Sequence, residues 1–311
     1  MPGTNVRLAT FNVENLFARY RFESRFDPTL DGFTINDLAF DIFNETEKQI
    51  TGRVIRELDA DILCLVEVEN MAILERFNSS YLAKLKYRYR ILIDGNDPRN
   101  IDVAVLSRHP VAAVRTNRHL RNATNTAPLF ARDCLELDFS VVVDEQSGET
   151  KTLTVLVNHL KSMMGGRAET RPRRREQVEK VIELVDDRFG PAFDGNFAVV
   201  GDFNDYMQGQ TALSGLVDHP QLVNGLDRSP EKERWTHYYA RGGDYSQLDY
   251  VLLGRAFDQR AGNPVPTTVR KGLPWRAERY VGPRYEEVGE NEPKASDHVP
   301  LAVDIPLGAF S

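Results

Sequence analysis

The sequence contains little cysteine and no long hydrophobic run. Of its 311 residues only two are cysteines, Cys64 and Cys134, and each lies in an apolar, strand-like segment. This placement favours two small buried side chains over a disulfide framework or a zinc site. No apolar run approaches the length of a membrane-spanning helix, and the first residues lack the apolar segment of a signal peptide. We therefore expect a cytoplasmic protein without a membrane span, with secretion as the alternative if a signal peptide has been trimmed.

The chain also lacks an excess of positive charge. Lys and Arg number 39 and Asp and Glu number 46, which gives a formal net charge of −7. A protein that binds nucleic acid through a broad basic face is usually more positive. A metal ion can supply positive charge locally, so the acidic balance does not exclude a nucleic-acid enzyme. Two common catalytic signatures, the serine nucleophile elbow and the glycine-rich phosphate loop, are missing as well.

The hydrophobic pattern predicts both β-hairpins and units in which a strand is followed by a helix. Residues 6–13 and 61–68 read as buried strands, and 37–58 as an amphipathic helix. Residues 134–143 alternate in polarity, turn, and return as "KTLTVLVNHL", which predicts an antiparallel hairpin. This mixture predicts an α/β fold in which two packed mixed β-sheets are flanked by helices, a four-layer sandwich. We expect a single domain over residues 1–311, with loops at 15–36 and 255–296 that set the substrate.

Polar residues recur at the ends of the predicted strands. They are Asn12, Glu14, Glu67, Asp102, Asn158, His159, Asp202, Asn204, Asp249, Asp297 and His298. Sites in packed sheets are commonly built at strand ends. Carboxylate and amide oxygens without thiolates suit a hard ion such as Mg²⁺, Mn²⁺ or Ca²⁺. With histidines as oriented acids or bases, the set fits metal-assisted hydrolysis of a phosphate ester.

Six short motifs carry a family resemblance. "TFNVEN", "LVEVEN", "VNHLKS", "VVGDFNDY", "QLDYVLL" and "ASDHVPL" follow one another in the order found in the endonuclease/exonuclease/phosphatase superfamily. The chain resembles this deoxyribonuclease-like superfamily from residue 7 to about residue 305. Its motif sequences are most similar to those of the bacterial secreted-nuclease-type branch.

The resemblance implies a role for each motif residue. Glu67 would be the principal metal ligand with Asn12 close by, and Asp297 a second carboxylate on the metal side. Asp202 would hold or deprotonate the attacking water or bind a second ion. Asn204 would donate to a phosphoryl oxygen. His298, oriented by Asp249, would be the base or phosphate donor, and His159 would act on the leaving-group side.

Several positions depart from the family pattern or leave it open. Val66 stands where many members carry Gln, and Glu14 stands where apurinic endonucleases carry Asp, so its role as a metal ligand is open. By position, Asp102 would orient His159, and Arg132 would contact phosphate. The five arginines Arg167, Arg171, Arg173, Arg174 and Arg175 follow a catalytic motif and favour phosphate contact over a solvated helix start, with Arg171 and Arg174 as the chosen substrate-binding residues.

The leading hypothesis is a Mg²⁺- or Mn²⁺-dependent phosphodiesterase, most simply a nuclease. The alternative within the same fold is a phosphatase or phosphodiesterase that acts on a small or lipid-linked phosphate. A third hypothesis is a non-catalytic binding module, against which the joint presence of the motif residues argues. We expect a monomer that binds nucleic acid or another phosphoester and needs no protein partner.

Overall fold

The computed structural model describes residues 4–22 and 38–311. Its strands, in chain order, are β1 (Asn5–Leu16), β2 (Ala18–Phe22), β3 (Leu38–Ile42), β4 (Ile62–Val68), β5 (Tyr89–Leu92), β6 (Asp102–Ser107), β7 (Val111–Arg115), β8 (Cys134–Asp144), β9 (Glu149–His159), β10 (Phe197–Asp202), β11 (Leu222–Asn224), β12 (His237–Tyr239), β13 (Asp244–Ser246), β14 (Asp249–Gly254), β15 (Thr267–Thr268) and β16 (Leu301–Pro306). The helices are α1 (Glu45–Leu58), α2 (Met71–Tyr81), α3 (Arg167–Phe189), α4 (Ser214–Val217) and α5 (Arg255–Arg260). Among these helices none is both long and apolar enough to cross a membrane.

Two six-stranded sheets form the centre of the molecule. Their strand orders are β15-β16-β1-β4-β6-β5 and β11-β14-β10-β9-β8-β7. In each sheet one central pair is parallel, β1 with β4 and β9 with β10, and the other neighbours are antiparallel. Two short hairpins, β2–β3 and β12–β13, lie outside these sheets. The mixed sheets predicted from the sequence are confirmed.

The main core lies between the two sheets. Alternate residues of β8, Leu135, Leu137 and Phe139, are fully buried there, and they pack in the same cluster as Val6 and Leu8 of β1. A strand has a side-chain period of two, so this alternation puts one face of β8 into the core. The predicted hairpin is present as β8 and β9.

Helices cover the outer face of each sheet. On the first sheet, Ile50 and Val54 of α1 pack with Phe11 of β1. On the second sheet, Val178 and Val181 of α3 belong to a third buried cluster with strand residues of β9 and β10. The result is the predicted four-layer sandwich, helices–sheet–sheet–helices. Both cysteines are buried and unbridged, as expected.

The prediction of one helix over residues 37–58 is wrong at its start. Residues Leu38–Ile42 form β3, and α1 begins only at Glu45. Leu38 and Ile42 are four residues apart, a spacing that also fits one face of a strand. Asn44 has a φ of 52°, a left-handed conformation that separates the strand from the helix.

The two predicted loops are only partly irregular. In the first, β1 extends to Leu16 and residues Ala18–Phe22 form β2, while residues 23–36 fall outside the described part of the chain. In the second, α5 and β15 occupy the early part of residues 255–296. Leu273 and Ala277 from this segment pack with Trp235, close to the strand ends described below.

Candidate active site

The carboxyl ends of the parallel strands bring the predicted residues together. In the second sheet β9 ends with His159, which lies in register with Asp202 at the end of β10. Asp202 is also in register with Asp249, the first residue of the antiparallel strand β14. Three strands thus deliver two carboxylates and an imidazole to one edge of the sheet, as the sequence predicted.

A bulge in β4 aims Glu67 at the same edge. The register of β4 against β6 shifts between Val66 and Val68, and Glu67 itself has a φ of 69°. A bulge of this kind redirects a side chain away from the ladder. Glu67 Oε1 accepts a hydrogen bond from Asn12 Nδ2 at 3.3 Å, and Oε2 accepts one from the backbone N–H of Asn15 at 3.1 Å.

At the end of β10 the backbone of Gly201 lies very close to the backbone of Asn158 in β9. Gly201 has a φ of 131°, and a Cβ at this position would lie 1.8 Å from the carbonyl oxygen of Asn158, so only glycine fits. Asp202 Oδ1 accepts from the backbone N–H of Asn204 at 2.8 Å. The side-chain Nδ2 of Asn204 donates to Asp202 Oδ2 at 3.1 Å and to the carbonyl of Leu160 at 3.2 Å. Asn204 therefore fixes Asp202, and a bond to a phosphoryl oxygen requires the release of one of these contacts.

His298 is oriented by a buried carboxylate. Its Nδ1 lies 2.8 Å from Asp249 Oδ2, and its backbone N–H donates to Ser296 Oγ at 3.0 Å. Its Nε2 faces Asp202 Oδ2 at 3.9 Å. Burial alone would lower the pKa of His298, but the negative charges of Asp249, Asp202 and Asp297 outweigh it and raise that pKa well above the ordinary value. The predicted pairing of Asp249 with His298 is thus present in the structure.

Asp202 lies at the centre of the cluster. Its side chain is 2% exposed, and Oδ2 accepts from Asn12 Nδ2 at 3.1 Å. Burial raises its pKa to about 7; the positive charge of His298 opposes the shift and the negative charge of Asp249 adds to it. A carboxyl group with a pKa near neutrality can take up and release a proton at physiological pH.

His159 approaches Asp202 from β9, on the other side of β10 from the Asp249 that orients His298. His159 Nε2 lies 3.7 Å from Asp202 Oδ2 and 3.9 Å from Glu67 Oε1. Burial lowers its pKa well below the ordinary value, and the positive charges of Arg132 and His298 act in the same direction. His159 is therefore a neutral imidazole, which donates or accepts a hydrogen bond through Nε2 according to its tautomer.

The structure does not join Asp102 to His159, contrary to the prediction. Asp102 Oδ1 accepts from the backbone N–H of Gly95 at 2.8 Å. His159 Nδ1 is buried and has no hydrogen-bond partner among residues 4–22 and 38–311. Asp102 begins β6, on the far side of β4 from β1, and there it serves the loop that carries Gly95. Burial raises the pKa of Asp102 to about 6.

Glu14 belongs to the wall of the site. Its Oε1 accepts from Lys294 Nζ and its Oε2 from the backbone N–H of Asp297, both at 2.8 Å. The buried ammonium of Lys48 donates to the carbonyls of Val13 and Glu14 at 2.6 and 2.7 Å. Both carboxylate oxygens of Glu14 are thus engaged, so in this structure it positions the segment that carries Asp297 and is not an open metal ligand.

His237 also lies at this edge and was not predicted from the sequence. His237 Nε2 lies 3.7 Å from Asp297 Oδ2, and its ring centroid lies 4.6 Å from that of His298. Ligand atoms of these three residues all lie within 4.8 Å of one another. The available signal was a histidine in the aromatic segment "WTHYY" shortly before Asp249, but nothing in its spacing marks it as part of a site.

The arginines of α3 divide into two groups. Arg174 is fully buried; its Nε lies 3.3 Å from Asp205 Oδ2, and its guanidinium donates to the carbonyl of Arg167 at 2.9 Å. Arg173 donates to the carbonyls of Pro128 and Leu129. The prediction that Arg174 contacts substrate is therefore wrong, because its charge is enclosed and used within the protein.

The other α3 arginines lie nearer to solvent. Arg167 donates to Asp205 Oδ1 at 2.6 Å and stacks over the ring of Tyr206. Arg171 is half-buried and reaches the carbonyl of Gln210 at 3.3 Å, while Arg175 is exposed. The predicted phosphate contact is thus still open to Arg171 and Arg175.

The donor set is suited to a divalent metal ion. Carboxylates of Glu67 and Asp202 both approach Asn12 Nδ2, and Asp249 Oδ1 is buried without a hydrogen-bond partner in the described part of the chain. Buried anionic oxygens without matching cations are costly unless a positive charge joins them. Hard oxygen donors with nearby imidazoles are the ligands of Mg²⁺ and Mn²⁺. The residues present therefore fit the ion that the sequence predicted.

Solved structures with a similar fold cover almost the whole chain. Truncated TDP2 of Caenorhabditis elegans is 16% identical, covers 97% of both chains and superposes with a TM-score of 0.58. The human Nocturnin catalytic domain, with a bound sulfate anion, is 16% identical, covers 97% of this chain and 94% of its own, and has a TM-score of 0.60. A protein of the endonuclease/exonuclease/phosphatase family from Bacteroides thetaiotaomicron is 12% identical, covers 97% of both chains and has a TM-score of 0.58. These likenesses show the fold.

The family is shown by the sequence itself. Comparison with curated proteins finds no match. Residues 7–229 match the sequence profile described as "Endonuclease/Exonuclease/phosphatase family", and this range contains Asn12, Glu67, His159, Asp202 and Asn204. The catalysts of this family hydrolyse phosphate esters with a divalent metal ion, and this chain is an enzyme of that kind. The chain belongs to the endonuclease/exonuclease/phosphatase family.

Proposed function

We propose that this protein is a phosphodiesterase that hydrolyses nucleic acid by attack of water on phosphorus. The observation that carries the proposal is the chain of contacts from Asp249 through His298 to Asp202, beside Glu67 and His159. It combines an oriented imidazole, a buried carboxyl group with a pKa near 7 and a second imidazole on the opposite side. Hydrolysis of a phosphodiester needs a base for the water, which the Asp202 carboxylate provides, and a group that stabilises the leaving oxygen, which a neutral His159 can do as a hydrogen-bond donor through Nε2.

Asp202 and His298 are the proposed partners of the attacking water. Asp202 is held by three hydrogen bonds from Asn12 and Asn204, so its carboxylate is fixed before substrate binds. His298 is held through Nδ1, which leaves Nε2 to face the reacting centre. A proton released by the water can pass to Asp202, while protonated His298 donates to a phosphoryl oxygen.

His159 is the proposed partner of the leaving group. His159 ends β9 and Asp249, the partner of His298, begins β14, so the two groups lie on opposite sides of β10 and Asp202. An in-line displacement likewise places the attacking and leaving oxygens on opposite sides of phosphorus. Mg²⁺ or Mn²⁺ held by Glu67, with Asn12 and Asp297 nearby, would neutralise charge that develops on the phosphoryl oxygens.

One observation favours the alternative of a small or lipid-linked phosphate substrate. Arg173 and Arg174, two of the arginines assigned to a polymer backbone, are used for internal contacts. This leaves fewer cations to follow a long nucleic-acid strand. Attack of water on phosphorus is the proposed step for both classes of substrate.

A substrate panel with controlled metal content tests the proposal. Plasmid DNA, single-stranded DNA, RNA, abasic DNA, inositol phosphates and bis-p-nitrophenyl phosphate are each incubated with enzyme in EDTA, Mg²⁺ or Mn²⁺. We expect hydrolysis of nucleic acid and of the model diester, loss of both in EDTA, and recovery on addition of metal. Full activity in EDTA contradicts the proposed metal dependence, and turnover of inositol phosphates alone contradicts the nucleic-acid assignment.

A further inference from the structure

Three cationic side chains lie together beside His159. Arg132 is 3% exposed, and its Nη1 lies 3.5 Å from Asp97 Oδ2. The same carboxylate oxygen accepts from Arg99 Nη2 at 2.8 Å. Lys161 directly follows Leu160, whose carbonyl accepts from Arg132 Nη2 at 2.8 Å, and both arginines add to the effect of burial in lowering the pKa of Lys161. We call Arg99, Arg132 and Lys161 the basic cluster.

The backbone links the basic cluster to the catalytic residues. The carbonyl of Leu160 accepts from Arg132 Nη2 at 2.8 Å and from Asn204 Nδ2 at 3.2 Å. Leu160 separates His159 from Lys161 in the chain, so one short segment carries the proposed leaving-group histidine and one member of the cluster. The cluster is thus fixed relative to Asp202 through Asn204.

The basic cluster has more positive charge than its protein partners neutralise. Asp97 is the one carboxylate that forms ion pairs with it in the described part of the chain. Arg132 Nε is buried and has no hydrogen-bond partner among the described residues. A buried guanidinium N–H without an acceptor is costly, which points to an acceptor supplied by a ligand. Half of the Arg99 side chain is exposed, so the cluster extends from this buried group to solvent.

We propose that the basic cluster is a subsite for a second phosphate group of the substrate, on the leaving-group side of the scissile phosphate. The proposal rests on the proposed function, in which His159 acts on that side. Arginine matches phosphate through paired N–H groups, and lysine adds a point charge. In the proposed function the scissile phosphate binds at Glu67 and Asp202, where negative charge dominates. Arg99 and Lys161 form no hydrogen bond to either carboxylate, and Lys161 is joined to His159 through Leu160, so these two cations are suited to a neighbouring phosphate.

Thymidine dinucleotides allow the effect of a second phosphate to be measured separately from that of the scissile phosphate. TpT has only the scissile phosphate, whereas pTpT and TpTp each have one more, at opposite ends. The products identify the leaving group: thymidine plus 5′-phosphothymidine means that the 5′ nucleoside leaves, and pTpT then has its extra phosphate on the leaving side. The opposite products assign that position to TpTp. The measured quantity is kcat/KM for each doubly phosphorylated substrate relative to TpT.

We expect the extra phosphate on the leaving side to raise kcat/KM and the one on the other side to have little effect. Arg99→Ala and Lys161→Ala should each reduce the leaving-side preference about tenfold, the scale of one charge-assisted hydrogen bond. Arg99→Lys and Lys161→Arg should retain part of it. The matched control is Arg53→Ala, which removes a partly exposed arginine of α1 that pairs with Glu287 and should retain the full preference.

Each other outcome overturns the inference. Equal losses on TpT and on both longer substrates would place Arg99 and Lys161 at the scissile phosphate or in a structural role. An unchanged preference in both alanine variants would show that the cluster does not bind the second phosphate. If the wild-type enzyme hydrolyses none of the three dinucleotides with Mg²⁺ or Mn²⁺, the proposed function fails and the inference fails with it.

Discussion

Asp202 and Asp205 are three residues apart and both are buried, but Asp205 is surrounded by cations and Asp202 by neutral hydrogen-bond donors. Asp205 accepts hydrogen bonds from Arg167 at 2.6 Å and Arg174 at 3.3 Å, so two cations enclose it. Asp202 is held by the neutral amides of Asn12 and Asn204. Its nearest possible cations are imidazoles more than 3.5 Å away. One carboxylate is neutralised by the protein, and the other is not.

The difference in the partners of the two carboxylates distinguishes a structural role for Asp205 from a chemical role for Asp202. A buried charge that the fold pairs with arginines contributes to stability only as part of that pair and is unavailable to a ligand. A buried carboxylate held by amides keeps unsatisfied charge, which a metal ion, a proton or a substrate can meet. The raised pKa of Asp202 is the mark of that second condition. The same contrast distinguishes Arg174, enclosed by its partners, from Arg132, which keeps a buried N–H without one.

Replacement of Asp202 should have the largest effect on activity. Asp202→Asn keeps the shape of the side chain and removes the charge and the proton acceptor. We expect kcat on bis-p-nitrophenyl phosphate to fall by about 10³-fold, within the range for a positioned acid–base group. Thermal unfolding of the metal-free protein should shift upward or stay unchanged, because a buried and unneutralised charge is removed. A variant with near wild-type turnover would show that Asp202 is not part of the reaction.

The same substitution at Asp205 should act on stability instead. Asp205→Asn leaves the buried guanidinium of Arg174 without its carboxylate, a change that costs about 3–5 kcal/mol. We expect a large fall in the urea midpoint, while kcat per folded molecule stays close to wild type. Arg174→Met tests the pair from the other side. If both variants unfold like the wild type, the enclosed pair is not a structural element.

The two imidazoles proposed to take part in the reaction, His159 and His298, should differ from His237 in their effect on activity. His298→Ala and His159→Ala each remove a group next to Asp202, and we expect losses of about 10²-fold or more in kcat. His237 contacts Asp297 and lies farther from Asp202 in the chain of contacts, so His237→Ala should lower activity less and raise the metal concentration needed for half-maximal rate. Titration of activity with Mn²⁺ measures both effects. Equal kcat losses in all three variants would assign His237 to the reaction itself.

The sequence predicted most of the site because its residues lie at strand ends. His159 and Asp202 end the parallel neighbours β9 and β10, and Asn12 and Glu67 lie where the regular parallel pairing of β1 with β4 breaks, so all four meet at one edge. What the sequence could not supply is the partner of each side chain. Nothing in the segment 101–107 indicates that Asp102 bonds to Gly95 and not to His159.

The burial of Arg174 could have been predicted from its helical spacing with apolar residues, although its charge suggests a surface position. Arg174 precedes Val178, Val181 and Val185 at helical spacing, so it lies on the apolar face of α3. An arginine on such a face needs a buried carboxylate, and Asp205 is 31 residues further along the chain. Pairing over that distance is set by the packing of α3 on the second sheet. Local pattern therefore predicts the face but not the counter-ion.

The smallest effect is expected for Arg171 and Arg175, the solvent-facing arginines of α3. Neither has an acidic partner within salt-bridge distance in the described part of the chain. If they contact the backbone of a long strand, each lost contact reduces the slope of log affinity against log salt by about 0.7–0.9. We expect the double variant Arg171→Ala, Arg175→Ala to raise the KM for a 30-nucleotide single strand about twofold to threefold at low salt. The slope of its salt dependence should fall by the amount that corresponds to the loss of one or two phosphate contacts. Arg53→Ala is the control for removal of a partly exposed arginine elsewhere. An unchanged slope in the double variant would define the outer face of α3 as a solvated surface and confine substrate contact to the region of the basic cluster.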